Sequence, residues 1–197
     1  MTVYNLTLPL TNEDVERLNI GDVVYLCGVV CTARDMAHLK MRELVVHGEP
    51  LPENLSGGAI FHAGPIMVKD GQDHWKLHVI GPTTSIRMEP HADFVGQLGV
   101  KLVIGKGGMG SDSVVAFRKY RQVYLQAIPG CAVALASGVK EVKDVHWLEN
   151  GMPEAMWVME TAHFGPFVVM MDCKGNSHYE QVKQQAYEAM RNITEDK

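Results

Sequence analysis

Short apolar runs that stop abruptly set the architecture of this chain. The plainest is Val23-Val24-Tyr25-Leu26-Cys27-Gly28-Val29-Val30, which follows the turn Asn19-Ile20-Gly21-Asp22 and has the length and β-branched content of a buried strand. Beyond it Thr32 can cap a helix over 33–46, where Met36, Leu39 and Leu44 recur at near-helical spacing. The same alternation predicts strands at 3–10, 58–62, 75–80, 101–104, 123–127, 139–147 and 167–172. It predicts helices at 13–18, 86–97, 113–121, 132–137, 153–159 and 178–191. Thr11 followed three residues later by Asp14 has the form of a reciprocal helix cap. Strands alternating with helices give an α/β domain, and the crowding of strands near both ends of the chain gives a mixed rather than a purely parallel sheet. No repeat or low-complexity linker divides the 197 residues, so a single domain over 1–197 is expected, with the tail 194–197 frayed.

Composition removes several function classes. Hydrophobic residues at 46% and charged residues at 21% describe a chain with a substantial core. The formal net charge of -5 argues against nucleic acid, which needs a basic face to displace counterions. No apolar run approaches the roughly 20 residues of a membrane helix, and the first residues lack the pattern of a signal peptide, so a cytoplasmic protein is expected. Cys27, Cys31, Cys131 and Cys173 are too few and scattered for a disulfide scaffold, and the C-x-x-x-C pair has no third cysteine near it to complete a cluster loop.

Glycines concentrate after the expected strands, at Gly57-Gly58, Gly81 and 105–110, where a chain must turn tightly or approach a ligand. Gly105-Lys106-Gly107-Gly108-Met109-Gly110 has the letters of a dinucleotide fingerprint. The acid expected about 20 residues on is missing, and Lys106 is followed by Gly107 where a P-loop has Ser or Thr. What remains is a glycine loop with one lysine, either a cradle for a carboxylate or phosphate or a tight turn with a solvated lysine. A free-standing anion- or dinucleotide-binding module built on this loop is the alternative reading of the chain.

The loop after the 75–80 strand places Thr83, Thr84 and Ser85 before Arg87. A cap uses one hydroxyl, which leaves others for substrate oxygens, and a guanidinium can grip a carboxylate through two parallel hydrogen bonds. Arg34, with Asp35 beside it and His38 one turn on, stands at a third strand-to-helix junction, where a surface salt bridge is the ordinary fate of such residues. Yet Arg34, Arg87 and Lys106 all fall just past strands, where open α/β sheets collect ligands, and together they make a dicarboxylate pocket. His62 lies in another strand-end turn, and one histidine is not a metal site. His74 and His78 on a strand would stand roughly 13 Å apart, too far to share an ion, so no metal is expected on this chain.

Six segments carry a resemblance: 32–38, 62–65, 81–88, 105–109, 151–157 and 172–177. In this order they resemble the beta subunit of two-subunit class I fumarate hydratases and L-tartrate dehydratases, equivalent to the C-terminal domain of single-chain class I fumarases. The resemblance implies a swivelling β/β/α domain that closes over a 4Fe-4S cluster held by a companion alpha subunit, in an assembly of two alpha and two beta chains. It implies a hydro-lyase for a C4 dicarboxylate, fumarate and L-malate first and L-tartrate next. Carried over residue by residue, Arg34, Arg87 and Lys106 hold substrate carboxylates and Thr83 is the base. Thr84 and Ser85, which bind substrate beside it, are helpers or competitors for the base role. By their own placement next to these residues, Asp35, His38, His62 and Gly107 are expected as wall or support.

Overall fold

The computed structural model describes residues 1–71 and 74–195. Of the tail expected to fray, Asp196 and Lys197 lie outside that range. Among the described residues the strands are β1 (Val3–Thr7), β2 (Val23–Thr32), β3 (Ala59–Phe61), β4 (Ala63–Lys69), β5 (Trp75–Pro82), β6 (Leu102–Gly105), β7 (Val123–Ala127), β8 (Val139–His146) and β9 (Met156–Met171). The helices are α1 (Asn12–Glu16), α2 (Asp35–His47), α3 (Ala92–Gln97), α4 (Ser111–Tyr120), α5 (Ala132–Ala136) and α6 (His178–Glu195). Thr11 and Asp14 close the reciprocal cap on α1 that their spacing predicts.

The main sheet is mixed, in the order β1-β2-β3-β6-β7-β9-β8. Strands β1, β2, β3, β6 and β7 run parallel, while β9 runs antiparallel to β2, β7 and β8. Because β2 pairs with β3 on one edge and with β9 on the other, β2, β3, β6, β7 and β9 close into a ring. Strands β4 and β5 form a separate hairpin.

Period-two alternation divides the core. Ala59 and Phe61, Leu102 and Ile104, and Val123, Leu125 and Ala127 pack in one cluster with Leu26, Phe164 and Phe167. Ile60, Val103 and Tyr124 turn the other way and pack with Ala37, Met41, Val95 and Phe117 of the helices. Strands buried on both faces explain why these segments read as nearly continuous apolar runs.

Four expectations change. The 153–159 helix is absent: Met156 begins β9, which pairs with β2 and β8 and buries Trp157 and Val158. A short apolar run does not distinguish helix from strand, and here pairing on both edges decides. The expected 167–172 strand is the far part of β9, a strand of 16 residues. The chain breaks at His62 and resumes as β4, a strand missed in the sequence. The 86–97 helix is a 3-10 segment over Ser85–His91, with Pro90 inside it, before α3.

Candidate active site

The parallel strands β2, β3, β6 and β7 end together, since Thr32 pairs with Phe61, Phe61 with Ile104 and Gly105 with Gln126. Backbone hydrogen bonds continue past those ends. Ala33 N donates to Phe61 O at 3.0 Å and His62 N to Ile104 O at 2.8 Å. The loop after β5 then wedges in: Thr83 N donates to His62 O at 2.7 Å, Lys106 N to Thr83 O at 3.2 Å and Ser85 N to Lys106 O at 3.0 Å. Thr84 and Lys106 thus form a short parallel bridge, and the hydroxyl loop and the lysine loop become one structure. Gly105 permits the fit, because a Cβ there would lie 1.9 Å from Ser85 Oγ.

Arg34 opens α2 as its N-cap residue. Its Nη2 pairs with Glu154 Oε1 at 3.0 Å, and Glu154 Oε2 accepts from Met36 N at 3.1 Å, so one carboxylate holds the arginine and caps the helix. Arg34 Nε is buried without a partner, and Gly64 is packed against Nη1. Asp35, the next residue, forms an ion pair with Arg87 from the 3-10 segment. Both arginines therefore converge on the start of α2. Lys106 is half-buried and forms no ion pair with a described residue. Thr83 is half-buried and Thr84 exposed.

Ser85, expected to face substrate, is instead fully buried. Tyr124 OH donates to its Oγ at 3.0 Å, and His62 Nδ1 lies 3.0 Å away on the other side. His38, also fully buried, stacks on His91 and meets His62 edge-on. Burial pushes His38 down to about 4 and His62 well below the usual histidine range, with neighbouring histidines adding to the His62 shift. His91 is lowered too, by burial and then by Arg42. A neutral histidine layer thus backs the charged loops. Gly107 N donates to Gln126 Oε1 at 3.2 Å, and the same oxygen accepts from Tyr179 OH at 2.5 Å.

The glycine loop offers less to an anion than its sequence suggests. Glu89 occupies the N-terminus of α4: Oε2 accepts from Gly110 N at 2.9 Å, and Oε1 from Ser113 N at 3.0 Å and Ser113 Oγ at 3.1 Å. The backbone donors that would meet a pyrophosphate already have a carboxylate of this chain. Glu89, Glu154, Tyr124 and Gln126 were not singled out in the sequence as site residues. Glu154 lies in one of the six segments named above, but its partner is 120 positions away in the chain.

The four cysteines are free, with Cys31 and Cys173 buried, and among the described residues no cysteine joins a group able to hold a metal. Burial raises the Cys31 thiol to about 12. These thiols do not fit an iron-sulfur cluster. Surface clefts lined by Leu8, Val29, Cys31 and Glu53, and by His74, Trp75, Lys140 and Val142, include none of the loop residues above.

A closed mixed sheet flanked by helices, with two arginines, hydroxyls and a lysine in the loops at its strand ends, defines an α/β domain. The family described as the fumarase C-terminus matches residues 2–182, and the chain belongs to that family. It is 46% identical over 173 residues to the L(+)-tartrate dehydratase subunit beta of Escherichia coli K12, covering 87% of this chain and 84% of that protein. A relative from Methanocaldococcus jannaschii, "Putative L(+)-tartrate dehydratase subunit beta", is 46% identical over 186 residues, covering 93% of this chain and 95% of its own length. "Putative fumarate hydratase class I" from Geobacillus stearothermophilus is 39% identical over 194 residues, covering 98% of this chain but 37% of that longer protein.

Proposed function

We propose that this chain is the beta subunit of an iron-sulfur hydro-lyase acting on a C4 dicarboxylate, and that its strand-end loops supply half of the active site. The observation that carries this reading is the convergence of Arg34 and Arg87 on the start of α2, with Lys106 bridged to Thr84 in the neighbouring loop, in a member of the fumarase C-terminus family. Each guanidinium has five N–H donors, and the contacts to Glu154 and Asp35 leave others for substrate carboxylates. Thr83 takes the carbon-bound proton as an alkoxide, having first lost its hydroxyl proton to solvent, and returns to the neutral hydroxyl as it does so. A neutral hydroxyl is a poor base, and the positive charge of Lys106 on the bridged loop favours the alkoxide. Thr84 shares the substrate-facing side, whereas Ser85, Asp35, His38, His62 and Gly107 support it from behind. A 4Fe-4S cluster held by the companion alpha subunit would supply Lewis-acid activation of the substrate hydroxyl.

The family resemblance puts fumarate and L-malate first. The 46% identity to tartrate dehydratase beta subunits, against 39% to the class I fumarate hydratase relative, brings L-tartrate equally into the first panel. The deciding experiment is anaerobic co-purification with the alpha subunit, followed by turnover of L-malate, fumarate and L-tartrate. Arg87→Ala is expected to lower turnover by about a hundred- to a thousandfold with assembly intact, the scale of losing an electrostatic contact to a reacting anion. An Arg87→Ala complex with wild-type turnover would sink this assignment. Titration of the isolated chain with dinucleotides addresses the alternative binding-module reading, which the carboxylate seated on α4 disfavours.

A further inference from the structure

Tyr124 lies on β7 with its ring buried in the helix-facing layer. Phenylalanine would fill that space without a hydroxyl, and a buried hydroxyl costs free energy unless it is bonded. Here the Tyr124 hydroxyl is bonded to the Ser85 hydroxyl, itself fully buried and touching His62 Nδ1. A polar chain of three residues therefore runs through an apolar layer, and two of its members, Ser85 and His62, hold the backbone of the site. Ser85 N–H holds Lys106 O, while His62 O holds Thr83 N–H. The chain thus grips the hydroxyl loop at its two ends, with Thr83 and Thr84 between them. Gly105 leaves the space that Ser85 Oγ occupies. Two residues along the same strand, Gln126 holds Gly107 N–H and Tyr179 OH, so β7 anchors the lysine loop as well.

We propose that Tyr124 is a positioning residue: its buried hydroxyl, acting through Ser85 and His62, fixes the Thr83 and Thr84 hydroxyls relative to Lys106. The role rests on the reading of the site given under Proposed function. Tyr124 touches no reacting group, and it acts because small displacements of a catalytic group are expensive in rate, about a hundredfold for roughly 1 Å.

The test uses Tyr124→Phe, which keeps the ring, and Ser85→Ala, which breaks the same chain at its middle. In the complex with the alpha subunit, each is expected to lower kcat by about ten- to a hundredfold with KM changed less than about threefold. The double variant is expected to be no worse than Ser85→Ala alone, because that substitution already removes the hydroxyl to which Tyr124 bonds. In the isolated chain, amide exchange at Thr83, Ser85 and Lys106 is expected to accelerate at least about tenfold while Ile104 and Leu125 stay protected. A kcat within about twofold of wild type per assembled complex overturns the proposal, as does acceleration spread evenly through the sheet, which marks general destabilisation. If the wild-type complex turns over none of the diacids, the hydro-lyase reading fails. The exchange measurement then decides the holding role by itself: local acceleration supports it, and unchanged or uniform exchange removes it.

Discussion

His38 makes the cost of the neutral histidine layer measurable. Its Nδ1 bonds Arg34 O at 2.8 Å, its Nε2 is buried without a partner, and His62, His91 and Asp35 surround it. With a folded pKa of about 4 against 6.5 unfolded, the unfolded chain binds more protons between those values. Stability is therefore unaffected by this group above pH 6.5 and falls as pH drops from there toward 4. At about pH 4.5 the loss is on the order of 2–3 kcal/mol. Urea unfolding at pH 7.5 and 4.5 should show His38→Gln losing less stability on acidification than wild type by about that amount. Equal losses would mean that His38 is not held neutral. Residue chemistry was legible in the sequence where it followed from type and place: Arg34, Arg87, Lys106 and the hydroxyl triplet all stand just past strands. Burial of Ser85 was not legible, because it depends on the missing Cβ of Gly105 and on Tyr124, 39 positions away. Glu154 escaped notice because its grip on Arg34 is a tertiary contact.

At the scale of elements, the same letters changed meaning with their neighbours. The segment from Met156 reads as an apolar turn of helix until β2 and β8 pair with it, whereas the β-branched runs of β2, β6 and β7 state their own conformation. The glycine loop before α4 has the outline of a phosphate cradle, and only the three-dimensional position of Glu89 shows that the helix end is already capped. Glu89→Ala leaves Gly110 N–H, Ser113 N–H and Ser113 Oγ without that partner. The expected loss is about 1–2 kcal/mol of stability, the range for a lost helix cap. Reversible thermal denaturation measures it, and a variant as stable as wild type would show that solvent satisfies α4 equally well. Dinucleotide affinity gained by Glu89→Ala, alongside none in the wild-type chain, would identify the carboxylate as the occupant that excludes phosphate.

At the scale of the whole molecule a closed sheet frames the loops that the proposed function assigns to half of a reaction centre. Closure of β2, β3, β6, β7 and β9 puts four parallel strand ends in one ring, so Arg34, His62, Lys106 and Gln126 are positioned by a continuous hydrogen-bonded structure rather than by independent loops. Among the described residues no helix is long and apolar enough to cross a membrane, and no cysteine set could hold a cluster. In the free chain Arg34 and Arg87 are already paired with Glu154 and Asp35. On the proposed function, a small dianion would share those arginines with internal carboxylates and would gain full binding only when a second polypeptide contributes further contacts and excludes water. The isolated beta chain is therefore expected to bind malate or tartrate with a Kd weaker than about 1 mM and to show no turnover. With the alpha subunit, native mass spectrometry should find a species containing two copies of each chain, and activity should appear in that species alone. Turnover by the isolated beta chain would place the whole reaction on this chain and end the two-subunit reading. An active complex with one copy of each chain would keep the shared site while removing the higher assembly.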